Sequence, residues 1–191
     1  MDFHTLCIGC RTYRRFKQKQ IPEKVLDELL ENARIANSAM NRQPLRYVLV
    51  KNPEVVRKIQ PCFHFAAALP KELGQPKEGE QPTAFIILCT EGPETPWTGI
   101  DIGIAVRTMN LNAYIYGIGS CIIGNVEFKK VKEILSVPET WIPRLALALG
   151  YPSHKSTIVE LPEDGSVKYY LDEERQYYVP KRKRKDISII R

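Results

Sequence analysis

The stretch TGIDIGIAVRTMNLNAYIY, residues 98–116, carries only two charges from Ile100 onward, Asp101 and Arg107. A helix that is apolar almost all round must be buried on most sides. In a chain of 191 residues, this predicts a central helix, or one whose outer face packs against another subunit. Thr98, with Asp101 three residues on, predicts a capping box in which Asp stands in for the usual Glu. Gly117-Ile118-Gly119 breaks the helix, and Ser120-Cys121-Ile122-Ile123-Gly124 follows it.

Working outward, Ala84-Phe85-Ile86-Ile87-Leu88-Cys89 is the best strand signal in the chain. Tyr47–Val50 and Leu145–Gly150 read as two further buried strands. Upstream, Pro22 suits a first helical position because its missing N–H would have no intrahelical partner there. Val25, Leu26, Leu29, Leu30 and Ala33 then recur at three- and four-residue spacing, predicting an amphipathic helix that ends near Ala36. Pro53–Ile59 and Phe128–Leu135 read as short helices. Residues 70–82, with Pro70, Gly74, Pro76, Gly79 and Pro82, read as a surface loop or lid. Helices and strands are interleaved along one domain, residues 1–191, so the class is α/β or α+β.

Of 28 basic side chains, five lie at Arg11, Arg14, Arg15, Lys17 and Lys19, and five more in the run Lys181–Lys185. The other 18 face 22 acids, so the rest of the chain is mildly acidic although the whole carries +6. A nucleic-acid coat would spread its basic residues along a face, so no nucleic-acid partner is expected, and the two patches ask for a smaller anion. No run approaches the roughly 18 apolar residues of a membrane span, so no membrane association is expected. Met1-Asp2-Phe3-His4 has neither the basic nor the apolar region of a secretory signal. Five scattered cysteines (Cys7, Cys10, Cys62, Cys89, Cys121) fit a reduced, cytoplasmic protein.

Most chemical signatures are absent. Cys7-Ile8-Gly9-Cys10 is a lone C-x-x-C with no second pair for a zinc site, so coincidence is its plainest reading and no metal is expected. There is no P-loop, no G-x-G-x-x-G and no G-x-S-x-G. What remains is the two basic patches, the polar turn Asn37–Pro44 and the Gly-rich turn 117–124. Each taken alone has a dull explanation as solvated surface or simple turn.

Taken together and in order, they resemble the nitroreductase family of flavin-dependent oxidoreductases, and the resemblance covers nearly the whole chain. The family's Arg-Arg-Ser-x-Arg-x-Phe run stands here as Cys10-Arg11-Thr12-Tyr13-Arg14-Arg15-Phe16. Its Ala-Pro-Ser-x-x-Asn-x-Gln-Pro-Trp run stands as Ala36-Asn37-Ser38-Ala39-Met40-Asn41-Arg42-Gln43-Pro44-Leu45. Asp101–Ala105, Gly117–Gly124, Leu147–Pro152 and Val179–Arg182 complete the set. The departures are Cys10 for the first Arg, Asn37 for Pro, Met40 for Gly and Leu45 for Trp.

The resemblance implies an α+β, three-layer fold: a central mixed sheet flanked by helices, in an intertwined homodimer with FMN at each subunit interface. It implies ping-pong chemistry, in which NADH or NADPH passes hydride to flavin N5 and a small electron-poor acceptor such as a nitroaromatic or quinone then takes the electrons. No catalytic side chain is required, because the cofactor carries the hard chemistry. Arg11, Arg14, Lys181 and Arg182 would converge on the FMN phosphate, with Arg15 or Lys183 as substitutes, the tail 180–191 forming one wall of that site. Thr12 would bond the ribityl chain or ring edge. Ser38, Asn41 and Gln43 would reach the flavin from the facing subunit, with Met40 narrowing the pocket. Ile122, Ile123 and Gly124 would lie against the ring. Within the family the alternatives are flavin breakdown, dehalogenation or a non-catalytic flavin sensor.

Overall fold

The computed structural model describes residues 1–191, apart from the side chain of Lys71. In chain order the elements are α1 (Phe3–Gly9), β1 (Phe16–Lys17), α2 (Glu23–Arg34), β2 (Leu45–Val50), α3 (Pro53–Ile59), α4 (Lys71–Gly74), β3 (Ala84–Thr90), α5 (Thr98–Ile115), β4 (Gly119–Ile123), α6 (Phe128–Ile134), β5 (Ile142–Pro152), β6 (Ser156–Glu160), β7 (Tyr170–Leu171) and β8 (Tyr177–Lys181). Short 3-10 turns occupy Ala39–Asn41, Gln60–Cys62 and Arg184–Asp186.

β5 is the spine. It pairs antiparallel with β3, with β4 and, at its C-terminal end, with β1, while β2 closes the sheet beyond β3. The long ladders are antiparallel, and parallel pairing enters at the Thr12–Ser120 bridge and in the small sheet, where β6 runs parallel to β8. Because strand side chains alternate with period two, β3 feeds two cores. Phe85, Ile87 and Cys89 join Ile59, Phe63, Val131 and Ala148 under α3 and α6. Ala84, Ile86 and Leu88 join Leu26, Leu29, Met109 and Leu147 under α2 and α5. A strand covered on both faces reads as an unbroken apolar run, which is why 84–89 stood out. The result is the expected three layers: helices α2 and α5, the sheet, then α3 and α6.

One local expectation fails at α5. Trp97, not Thr98, caps the helix, and it offers no side-chain cap. Thr98 instead accepts the N–H of Thr95 (3.0 Å), and buried Asp101 accepts the N–H of Ala39 (2.9 Å). The short Asp side chain in the first turn is drawn outward to another loop's unpaired donor, so no capping box forms. Within the single chain the helix is covered on one side. Ala105, Met109 and Ala113 are sealed against the sheet and α2, while Ile100, Ile104 and Ile115 face solvent at 51%, 38% and 59% exposure.

The loop 70–82 is tied down in its second half. Phe16 donates its N–H to the carbonyl of Glu80, and Gln18 reaches the carbonyl of Gln81. The Glu80 carboxylate takes both Arg175 guanidinium nitrogens (2.9 and 3.2 Å), which fastens the loop to the turn between β7 and β8. Both partners are mostly buried, so charge-assisted hydrogen bonds of this kind contribute on the order of 1–3 kcal/mol. Glu80→Ala is expected to lower unfolding stability by that amount in a chemical denaturation curve, and an unchanged midpoint would show that the latch carries no load.

Candidate functional site

The Cys10–Phe16 segment is laid out by close backbone packing. Asp2 caps α1 by accepting from the N–H groups of His4 and Thr5. Beyond Gly9 the chain extends along β4: Thr12 bridges Ser120, and Tyr13 donates its N–H to the Ser120 carbonyl (2.9 Å). The approach needs bare backbone underneath. A Cβ on Gly119 would lie 2.8 Å from Tyr13 Cβ, and one on Gly150 would lie 2.8 Å from Phe16. Arg11, Thr12 and Arg14 are thereby brought beside the start of β4.

Arg14 is held over two neighbouring aromatic rings. Its guanidinium sits 4.6 Å from the Tyr169 ring centroid and 4.9 Å from that of Tyr177, and its Nε is buried with no partner among the described residues. Its backbone N–H points at His154 Nε2 (3.4 Å). Stacking of this kind orients a guanidinium while leaving its donors for something else. Arg15, 5% exposed, donates to the carbonyl of Arg175, and its Nη1 is buried with no partner among the described residues. At the end of β4, Ile122 is 49% exposed and Ile123 only 3%, so Ile123 can offer a ligand its backbone but not its side chain. Gly124 is exposed, with open space where a Cβ would stand.

The Asn37–Pro44 turn is a second, separate constellation. Ser38 Oγ accepts the N–H of Gln43 (3.0 Å), and the Gln43 amide reaches Asn41 Oδ1 (3.2 Å). Met40, Asn41 and Gln43 all have left-handed backbones, with φ of 52°, 54° and 50°. Asn tolerates this region; Met and Gln adopt it at a cost. The anchor is Asp101 in the first turn of α5, whereas Cys10 is bonded to the carbonyl of Asn110 (3.3 Å) further along the same helix. Nine residues of helix separate the two anchors by roughly 14 Å. Within one protomer, Ser38, Asn41 and Gln43 are therefore not brought to Arg11 and Arg14.

Lys181 and Arg182 are not brought there either. β8 starts at Tyr177, the ring under Arg14, and runs away from it, so Lys181 lies about 13 Å further along the strand. Lys181 is exposed opposite Glu160 on β6, and Lys183 is already paired with Glu160 (3.4 Å). Sequence reasoning missed Tyr169, Tyr177 and His154. The aromatic pairs before Pro180 were visible in the sequence, but nothing there said that Arg14 would be their target.

His154 is 7% exposed and packed edge-on against Tyr13 and Tyr177. Burial, helped by Arg15 and Arg14, pushes its pKa down to about 3, so the imidazole stays neutral in the fold. An unfolded histidine protonates near 6.5. Between the two values the unfolded chain binds a proton that the folded chain refuses, so stability falls as pH drops through that window, by up to about tenfold in the folding equilibrium per unit. Denaturation curves from pH 7 to pH 4 are expected to show this loss in the native chain and a shallower one in His154→Phe; parallel losses would exclude the assignment. At the strained turn, Met40→Gly is expected to stabilise by about 1 kcal/mol, raising the melting midpoint by roughly 2–4 °C. A lower midpoint in a thermal scan would contradict it.

Comparison with known proteins agrees with this fold. The family model described as the Nitroreductase family matches residues 9–151. A protein of Archaeoglobus fulgidus with the provisional name NADH dehydrogenase/NAD(P)H nitroreductase is 27% identical over 159 residues, 78% of this chain and 85% of its own. A Bacillus subtilis protein named FMN reductase (NADPH) is 26% identical over 159 residues, 76% of this chain and 64% of its own. Among solved structures, a nitroreductase family protein from Streptococcus pneumoniae superposes with a TM-score of 0.68 at 19% identity, covering 87% of this chain and 99% of its own, which is likeness of fold. With the motif-bearing segments, the three-layer core and most of the chain matched, this protein belongs to the Nitroreductase family.

Proposed function

We propose that the chain is an FMN-dependent NAD(P)H oxidoreductase that works as a homodimer on small electron-poor acceptors. The observation that carries this reading is the set of unspent cationic donors beside an open strand edge. Arg14 is fixed by two rings with its Nε unpaired, and Arg11 has no carboxylate partner among the described residues. An FMN phosphate of about −1.5 to −2 charge is the kind of ligand that uses such donors. The half-exposed Ile122 side chain and the bare Gly124 backbone provide the apolar, sterically open surface that a flat ring needs. The names of the curated relatives, an NAD(P)H nitroreductase and an FMN reductase, point the same way.

In this reading Arg11, Thr12 and Arg14 hold the phosphate and ribityl chain, and Ile122, Ile123 and Gly124 hold the ring. Ser38, Asn41 and Gln43 come from the facing subunit, because their own protomer keeps them roughly 14 Å along α5 from the Arg11 group. The uncovered apolar stripe Ile100, Ile104 and Ile115 is the surface that a second copy would cover. Lys181 and Arg182 reach a phosphate only if the end of β8 or the following turn is re-seated in that assembly. Bound FMN supplies the two-electron chemistry between a reduced nicotinamide and the acceptor, and the chain's own groups bind, orient and exclude water.

The test is anaerobic. NADH or NADPH added to the FMN-loaded protein should bleach the flavin band, and a later electron acceptor should restore it; no bleaching with either donor would defeat the reductase reading. Sedimentation should give a dimer, and Ile104→Glu should yield a monomer that no longer retains FMN. A flavin-loaded monomer would remove the facing-subunit role of the Ser38–Gln43 turn.

A further inference from the structure

The first position of the basic motif is Cys10, where the family run has Arg. The side chain there is not exchanged for an inert one. Its thiol is 3% exposed, donates to the carbonyl of Asn110 on α5 (3.3 Å), and accepts from Arg107 Nη1 on the same helix (3.4 Å). Arg107 is the one basic residue of α5 and sits on its exposed side. Among the described residues, no carboxylate pairs with it.

Several facts make that placement more than a packing detail. A neutral thiol is a weak acceptor, so the contact fixes the guanidinium without using it up; the other N–H groups stay available. Arg11 directly follows Cys10, and both Arg107 and Arg11 draw the thiol toward its charged form, against the larger opposing effect of burial. Both guanidiniums bear on the one Cys10 thiol, and neither is paired with a carboxylate among the described residues. Two cations kept at one site without an acid suit an anion. The solitary positive charge in an otherwise apolar helix also goes unexplained by the fold, since Arg107 supports neither core.

We propose that Arg107 supplies, from α5, the guanidinium that position 10 lacks, and that with Arg11 it binds the phosphate of FMN. The inference rests on the FMN reading above and adds to it a ligand outside the motif. Arg107 is a binding residue for the phosphate monoester and has no part in electron transfer.

The test compares two ligands that differ only by that phosphate. Apo-protein is titrated with FMN and with riboflavin, following flavin fluorescence, for the native chain, Arg107→Gln and Arg107→Lys. Loss of one charge-assisted phosphate contact is expected to weaken FMN about tenfold to a hundredfold in Arg107→Gln, with riboflavin affinity unchanged and Arg107→Lys intermediate. The variants should keep the native melting midpoint, and sedimentation should show the native oligomeric state, which separates loss of a phosphate contact from loss of fold or assembly. Adding Cys10→Arg to Arg107→Gln should restore part of the preference for FMN. Equal weakening of both ligands, or no change in either, would overturn the proposal while leaving the FMN reading intact. A native chain that binds neither ligand would overturn the FMN reading itself.

Discussion

Everything in this molecule hangs on the two-edged pairing of Ile142–Pro152. One edge of that strand carries Ala84–Thr90 and, through it, both cores. The other edge carries Gly119–Ile123, and the strand's C-terminal end pairs with Phe16–Lys17. The basic segment Arg11–Arg15 has no core of its own and is positioned only because it lies across Gly119 and Gly150, where any side chain would collide with Tyr13 or Phe16. The apolar strand and two glycines therefore decide where the cations stand.

The arginines show how tertiary context separates residues that look equivalent in sequence. Arg14 and Arg15 are neighbours in one basic run, yet they meet different partners. Arg14 lies over the Tyr169 and Tyr177 rings; Arg15 is buried and donates to the carbonyl of Arg175. Lys181 and Lys183 illustrate the same point on an exposed strand end, where Glu160 competes for them. Counting charges along the chain could not distinguish these cases, because what differs is which donors each packing environment leaves free.

The strained turn and the exposed face of α5 belong together. Met40, Asn41 and Gln43 keep left-handed backbones only because the surroundings hold them, through Ser38 Oγ and the buried Asp101 carboxylate. The same helix leaves Ile100, Ile104 and Ile115 uncovered. A protomer that strains a loop and exposes an apolar stripe along a single helix has concentrated its unmet physical demands on one side.

The sequence by itself determined the layers of this fold. The unbroken apolar run 84–89, the amphipathic spacing of 25–33 and the low charge of 98–116 are each set by which faces must leave water, and burial is a property that hydrophobic periodicity records directly. It also determined the family, through motifs whose order survives substitution at Cys10, Asn37, Met40 and Leu45. Only the tertiary structure decided that Asp101 serves the Ala39 turn instead of a cap, that Tyr169 and Tyr177 hold Arg14, and that Arg107 meets Cys10 across almost 100 residues of chain. Those are pairings between distant segments, and their energies depend on close approach and on competing partners. No local pattern encodes that information, because it exists only once the backbone has brought the groups together.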